Sequence, residues 1–106
     1  MSHQEKDAIA REREVIRRRI HKYAERAGVR LNPQSEIVEA VFSRMAERKV
    51  HEGEFYCPDR EATGEHDLDR KIVCPCEFHL KEIAEEGRCR CGLFVRSEEE
   101  PDKGEA

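Results

Sequence analysis

The apolar residues of this chain fall into two helical rhythms and then lose their period. Ile9, Ile16, Ile20, Tyr23 and Ala27 recur at intervals of seven, four and three, which is one face of an α-helix, and Val15 and Ala24 widen the stripe. The pattern predicts a helix over 4–27 with highly charged first turns, closed by Gly28 at the left-handed position past its end. Asn32-Pro33 reads as the N-cap and first residue of a second helix, from about Pro33 to about Val50. Its buried face is Ile37, Val38, Val41, Phe42 and Met45, and Gly53 closes the segment. Residues 58–73 keep no period and read as a loop or short helical turns. Helix returns over Cys76–Glu86, with Phe78, Leu80, Ile83 and Ala84 as its apolar positions and Gly87 as its stop. Leu93-Phe94-Val95 is a short apolar run expected to pack beside the cysteines, and 97–106 reads as a disordered acidic tail.

Composition narrows what this pattern can be. The chain has 106 residues, which is one domain, and 37% of them are hydrophobic against 42% charged, with no Trp. Mean hydropathy is −0.91. So little apolar area opposes backbone entropy poorly, and small polar chains commonly recruit a metal, a disulfide or a partner. The five cysteines are the candidates. Being odd in number, they cannot all pair within the chain. The polar start lacks the apolar segment of a signal peptide, and no run is apolar enough to span a membrane. A cytoplasmic setting is therefore expected, where clustered cysteines mean metal or redox chemistry. Residues 1–30 are net basic and 97–106 net acidic, as solvated surfaces often are. Arg17-Arg18-Arg19 is flanked by acids and lacks aromatic neighbours, so neither a nucleic acid nor a membrane is expected as a partner.

All the cysteines lie between Cys57 and Cys91, as Cys57-Pro58-Asp59, Cys74-Pro75-Cys76 and Cys89-Arg90-Cys91. Clustered thiolates with a repeated C-x-C unit are the pattern of a soft-metal site. Pro58 and Pro75 stiffen the turns, and amides left free nearby can point at sulfur. Four thiolates suit either a [4Fe–4S] cluster or zinc. Zinc sites usually carry C-x₂₋₄-C pairs, and no pair here has that spacing, which favours iron–sulfur while leaving zinc open. His66 and His79 flank the second unit, as donors, ligands or plain surface and capping residues; His3, His21 and His51 carry no signal.

These residues resemble a known family. Tyr56-Cys57-Pro58-Asp59-Arg60, Cys74-Pro75-Cys76 and Cys89-Arg90-Cys91-Gly92-Leu93-Phe94 look like the catalytic chain of ferredoxin-thioredoxin reductase, which carries two C-P-C units and a C-H-C unit. Upstream, His21-Lys22-Tyr23-Ala24-Glu25-Arg26-Ala27-Gly28 and Met45-Ala46-Glu47-Arg48-Lys49 are similar to the family's N-terminal half. The resemblance covers residues 15–96, leaving 1–14 as a charged helical extension and 97–106 as the tail. It implies a mainly α, small all-helical domain with loops wrapped around one [4Fe–4S] cluster. By position it implies Cys57, Cys74, Cys76 and Cys89 as ligands. It also implies a ferredoxin-like donor, a thioredoxin-like or other disulfide protein as acceptor, and a small variable-type subunit.

The chain departs from that family where disulfide exchange is done. Asp59 stands in place of the interchange cysteine, so Cys91 alone remains of the redox pair, and Arg90 replaces the family's His. The interval from Asp59 to Cys74 is a little short and that from Cys76 to Cys89 is longer than usual. A carboxylate cannot form a mixed disulfide. Candidate catalytic residues are therefore Cys91, as the one free thiol; Arg90, lowering its pKa; and Asp59, as a proton donor if burial raises its pKa or otherwise as a helix N-cap ahead of Arg60-Glu61-Ala62. The expected function is an iron–sulfur oxidoreductase with altered chemistry. The alternatives are a one-electron carrier, a cluster-stapled interaction module and a zinc-stapled domain.

Overall fold

The computed structural model describes residues 2–96. Helix α1 (His3–Ala27) opens on Ser2, whose hydroxyl oxygen accepts the Glu5 amide at 3.1 Å and satisfies one donor that a helix start leaves free. It ends at Gly28, where φ is +69° and the amide returns to the Ala24 carbonyl. Strand β1 (Arg30–Leu31) follows, then helix α2 (Ser35–Glu52). Three contacts set the direction of α2. His51 meets Glu5 at 3.4 Å, Arg13 donates to Ser43 at 3.3 Å, and Arg17 pairs with Glu39. Numbers rise on one helix as they fall on the other, so α1 and α2 are an antiparallel hairpin.

The seam between the two helices is apolar. Ile16 and Ile20 of α1 pack with Val38, Val41, Phe42 and Met45 of α2, all buried. Each such side chain contributes about 1.5–3 kcal/mol by burial, against about 0–1 kcal/mol for an exposed ion pair, so the seam rather than the charges holds the hairpin. Val15 and Ala27, expected to belong to the stripe, are exposed. Val15 lies one helical step round from Ile16, away from α2, and Ala27 sits in the last turn beyond its reach.

After α2 the chain makes a short helix α3 (His66–Asp69), a 3₁₀ turn (Arg70–Ile72), helix α4 (His79–Glu86) and strand β2 (Phe94–Val95). Strand β2 returns antiparallel to β1, pairing Arg30 with Val95 and Leu31 with Phe94. The domain is mainly helical but not all-helical, because this small ladder ties its last segment to the turn between α1 and α2. The ladder also moves the start of α2. Asn32 donates its amide nitrogen Nδ2 to the Gly92 carbonyl at 2.8 Å, and its oxygen takes the Gln34 amide at 2.9 Å. It is thus a tie to the third cysteine unit rather than a helix cap, and α2 begins at Ser35, two residues later than expected.

Helix α4 likewise starts at His79 rather than Cys76, and the Glu77 amide goes to the Lys71 carbonyl at 2.9 Å. Of its expected apolar positions only Ile83 is buried; Phe78, Leu80 and Ala84 face outward. The acidic tail lies outside the described residues. No helix among the described residues is long and apolar enough to cross a membrane.

Asp69 fixes the irregular stretch before α3. Its carboxylate accepts the Thr63 amide at 2.7 Å, the Thr63 hydroxyl at 2.8 Å and the Gly64 amide at 2.9 Å. Those donors, the Thr63 amide first, hold its pKa below the ordinary 3.8. A depressed carboxyl stabilises the fold above its unfolded pKa and loses that contribution as pH falls through the lower folded value.

Two outcomes follow from this packing. Phe42→Ala lowers unfolding free energy by about 3–5 kcal/mol in urea titrations, whereas Val15→Ala stays within about 0.5 kcal/mol. Limited proteolysis across 58–65 accelerates as pH is lowered below 3.8, and Asp69→Asn cleaves fast already at neutral pH.

Candidate metal centre

The cysteines arrive on three segments that the backbone fastens to one another. The Cys57 amide donates to the Ile72 carbonyl at 2.8 Å and the Cys74 amide to the Phe55 carbonyl at 2.9 Å, with a bridge between Tyr56 and Val73. The first two units therefore lie side by side, antiparallel. The third unit closes on β2, with the Cys89 amide on the Phe94 carbonyl at 3.0 Å and the Gly92 amide on the Cys89 carbonyl at 3.0 Å. Gly92 sits at φ +81°, a conformation that side chains disfavour, and this lets the chain turn straight into Leu93 and Phe94.

Side chains clasp the units from outside. Arg48 of α2 donates through Nη1 to the Cys57 carbonyl at 2.6 Å and the Arg60 carbonyl at 2.5 Å, while Glu52 holds its other nitrogens. His79 donates Nδ1–H to the Cys76 carbonyl, which leaves Nε2 to accept the Tyr23 hydroxyl. The His79, Tyr23 and Phe94 rings pack on one another with centroids 5.2–5.6 Å apart. Sequence reading placed Tyr23 in the core and left His79 open; it missed Arg48, whose only signal is its place three residues after Met45, on the edge of the buried face. His66, by contrast, is exposed.

Cys57, Cys74, Cys76 and Cys89 are 3–6% exposed, and Cys91 is half-buried; all five are free thiols. Backbone amides point at sulfur. The Phe94 amide reaches Cys89 Sγ at 3.3 Å, joined by those of Leu93 and Gly92, while the Asp59 amide serves Cys57 and that of Phe78 serves Cys76.

Cys91 Sγ lies 3.8 Å from Cys89 Sγ. Hydrogen bonding with Cys91 is the first cause holding Cys57 and Cys89 below the ordinary thiol value, and the same bonding, then burial, pushes Cys91 up. Burial raises Cys74 and Cys76. The four buried sulfurs also feel one another: Cys57, Cys76 and Cys89 all act on Cys74.

The Arg90 side chain is exposed, and its amide donates to Glu82 Oε1 at 3.1 Å. Asp59 caps no helix, since α3 begins seven residues on. Its carboxylate is about one-third exposed and accepts from Arg44 Nη2 at 3.2 Å.

A model of the ferredoxin thioredoxin reductase catalytic beta chain matches residues 6–106. The chain belongs to this family. No curated protein matches it. Members of the family bind a [4Fe–4S] cluster. Among the described residues no three His, Cys, Asp or Glu side chains are arranged to hold a metal ion. The donor chemistry nonetheless fits the family's cluster: buried soft thiols, free of disulfides, with amides already directed at three of the sulfurs.

The clasp on the second unit can be weighed directly. Tyr23→Phe strips the hydroxyl from a buried histidine nitrogen and costs about 1–3 kcal/mol in chemical denaturation, whereas Tyr23→Ala costs more because the Phe94 packing goes with it.

Proposed function

We propose that this chain is a [4Fe–4S] oxidoreductase that passes electrons from a ferredoxin-like donor to a disulfide acceptor, using one thiol where its family uses two. Cys57, Cys74, Cys76 and Cys89 are the proposed ligands and Cys91 the reacting thiol. The observation that carries this reading is that three hydrogen-bonded segments bring five free thiols into and against one core, with Cys91 the least buried and its Sγ 3.8 Å from Cys89 Sγ.

When bound, the cluster supplies single electrons to the sulfur beside it. Cys57, Cys74, Cys76 and Cys89 would hold the cluster, and Cys91, outside that set, would act as the thiolate. The Cys91 thiolate attacks one sulfur of the acceptor disulfide; an S–S bond forms to Cys91, the acceptor's S–S bond breaks, and the departing sulfur takes a proton. Two electrons from the donor, delivered one at a time, and a proton then cleave the mixed disulfide. This releases the second acceptor thiol and restores Cys91. Asp59, tied to Arg44, holds the first loop rather than attacking.

A thioredoxin-like protein is the proposed acceptor, a small variable-type subunit a further partner, and a reducing compartment such as the cytoplasm the setting that keeps the thiols free.

Anaerobic purification gives a brown protein with about four iron and four sulfide per chain and a paramagnetic signal that depends on redox state. Cys91→Ser keeps that cluster and loses disulfide reduction roughly 100-fold or more. Undiminished turnover in Cys91→Ser replaces this reading with a plain one-electron carrier, and a colourless zinc protein ends it.

A further inference from the structure

We propose that Arg60 is the cation that sets the reduction potential of the cysteine centre, and that Glu82 opposes it across one ion pair. The proposal rests on the cluster assigned under Proposed function.

Arg60 follows the first unit directly, yet its side chain is only 14% exposed. The guanidinium lies over the Phe78 ring, 4.7 Å from its centroid, and Nη2 donates to Glu82 Oε2. Its Nε is buried with no acceptor among the described residues. An unmet buried donor costs about 1–3 kcal/mol, so a guanidinium in this place is unfavourable unless something negative beside it offsets the cost. Glu82 offsets part of that cost, and the cleft that holds the guanidinium is also lined by Cys89 and by Phe78, two residues past Cys76. Two further cations reach the first unit: Arg44 is held by Asp59 and the Pro58 carbonyl, and Arg48 by Glu52 and two carbonyls.

Glu82 has a second bond. Its Oε1 accepts the Arg90 amide at 3.1 Å. One carboxylate on α4, the helix that follows the second unit, thus joins a side chain of the first unit to the backbone of the third. Reduction adds an electron to the centre. A fixed positive charge in a partly desolvated position stabilises that added charge, and a fixed negative one disfavours it. The pair is therefore a balance: Arg60 raises the potential and Glu82 moderates it.

The test compares wild type, Arg60→Met, Arg60→Lys and Glu82→Gln, each purified anaerobically, analysed for iron and sulfide, and titrated against a potential scale by visible absorbance and electron paramagnetic resonance. Arg60→Met shifts the midpoint to more negative values, Glu82→Gln to more positive values, and Arg60→Lys stays near wild type. Arg60→Met and Glu82→Gln break the same ion pair, so a purely structural role moves both midpoints in one direction; opposite shifts are the signature of charge. Shifts of the same sign, or none, in fully loaded variants overturn the proposal. If Arg60→Met does not load, Glu82→Gln decides, and a midpoint that fails to rise overturns it. A wild-type protein without iron and sulfide overturns the cluster reading and this proposal together, whereas a loaded wild type whose variants fail the sign test overturns this proposal alone.

Discussion

Sulfur centres repel themselves, and the architecture of this chain answers that constraint. Two thiolates at the 3.8 Å that separates Cys89 from Cys91 would oppose one another by about 4 kcal/mol at an effective dielectric of about 20. Nothing in the cysteine units can supply that, so the surroundings must. The backbone supplies the position: two amide bonds hold the first and second units in antiparallel register, and β2 carries the third unit to β1. Amides supply the charge compensation, arriving at Cys57, Cys76 and Cys89 from the residues just past each.

Because the compensation is carried by backbone, the side chain at position 59 is separable from it. The amide of Asp59 serves Cys57 whatever side chain follows, while the carboxylate turns to Arg44 on α2. On the proposed reading, this is why a chain can give up the second redox sulfur and keep the frame that binds a cluster. The Asp59 carboxylate ties the first loop to the helical hairpin.

The hairpin was legible in the sequence because its signal is local. Ile16 and Ile20 on one helix and Val38, Val41, Phe42 and Met45 on the other are spaced by the helix itself, and Gly28 and Gly53 mark the ends by a conformation other residues avoid. The family was legible because the order and spacing of the cysteine units are covalent facts. The two-residue strands were not, since two residues have no period and exist only because Asn32 and Leu93 meet across 60 residues of chain. The start of α4 was not legible for a related reason: the Glu77 amide goes to the Lys71 carbonyl, a partner that no local pattern reveals. Arg48, Arg60 and Glu82 act by long side chains on partners distant in sequence, and their types alone say surface.

The core and the centre are one object in this protein. Cys74 and Cys89 pack in the same apolar cluster as Phe42, Phe55, Leu93 and Phe94, and Cys91 leans against it. A chain with so few apolar residues has no second core on which to rely. Oxidising those sulfurs to acids would put polar groups among buried rings, at a cost of the same order as the loss of a large core side chain. The chemistry and the fold must therefore fail together, and a cluster that occupies the thiols protects both.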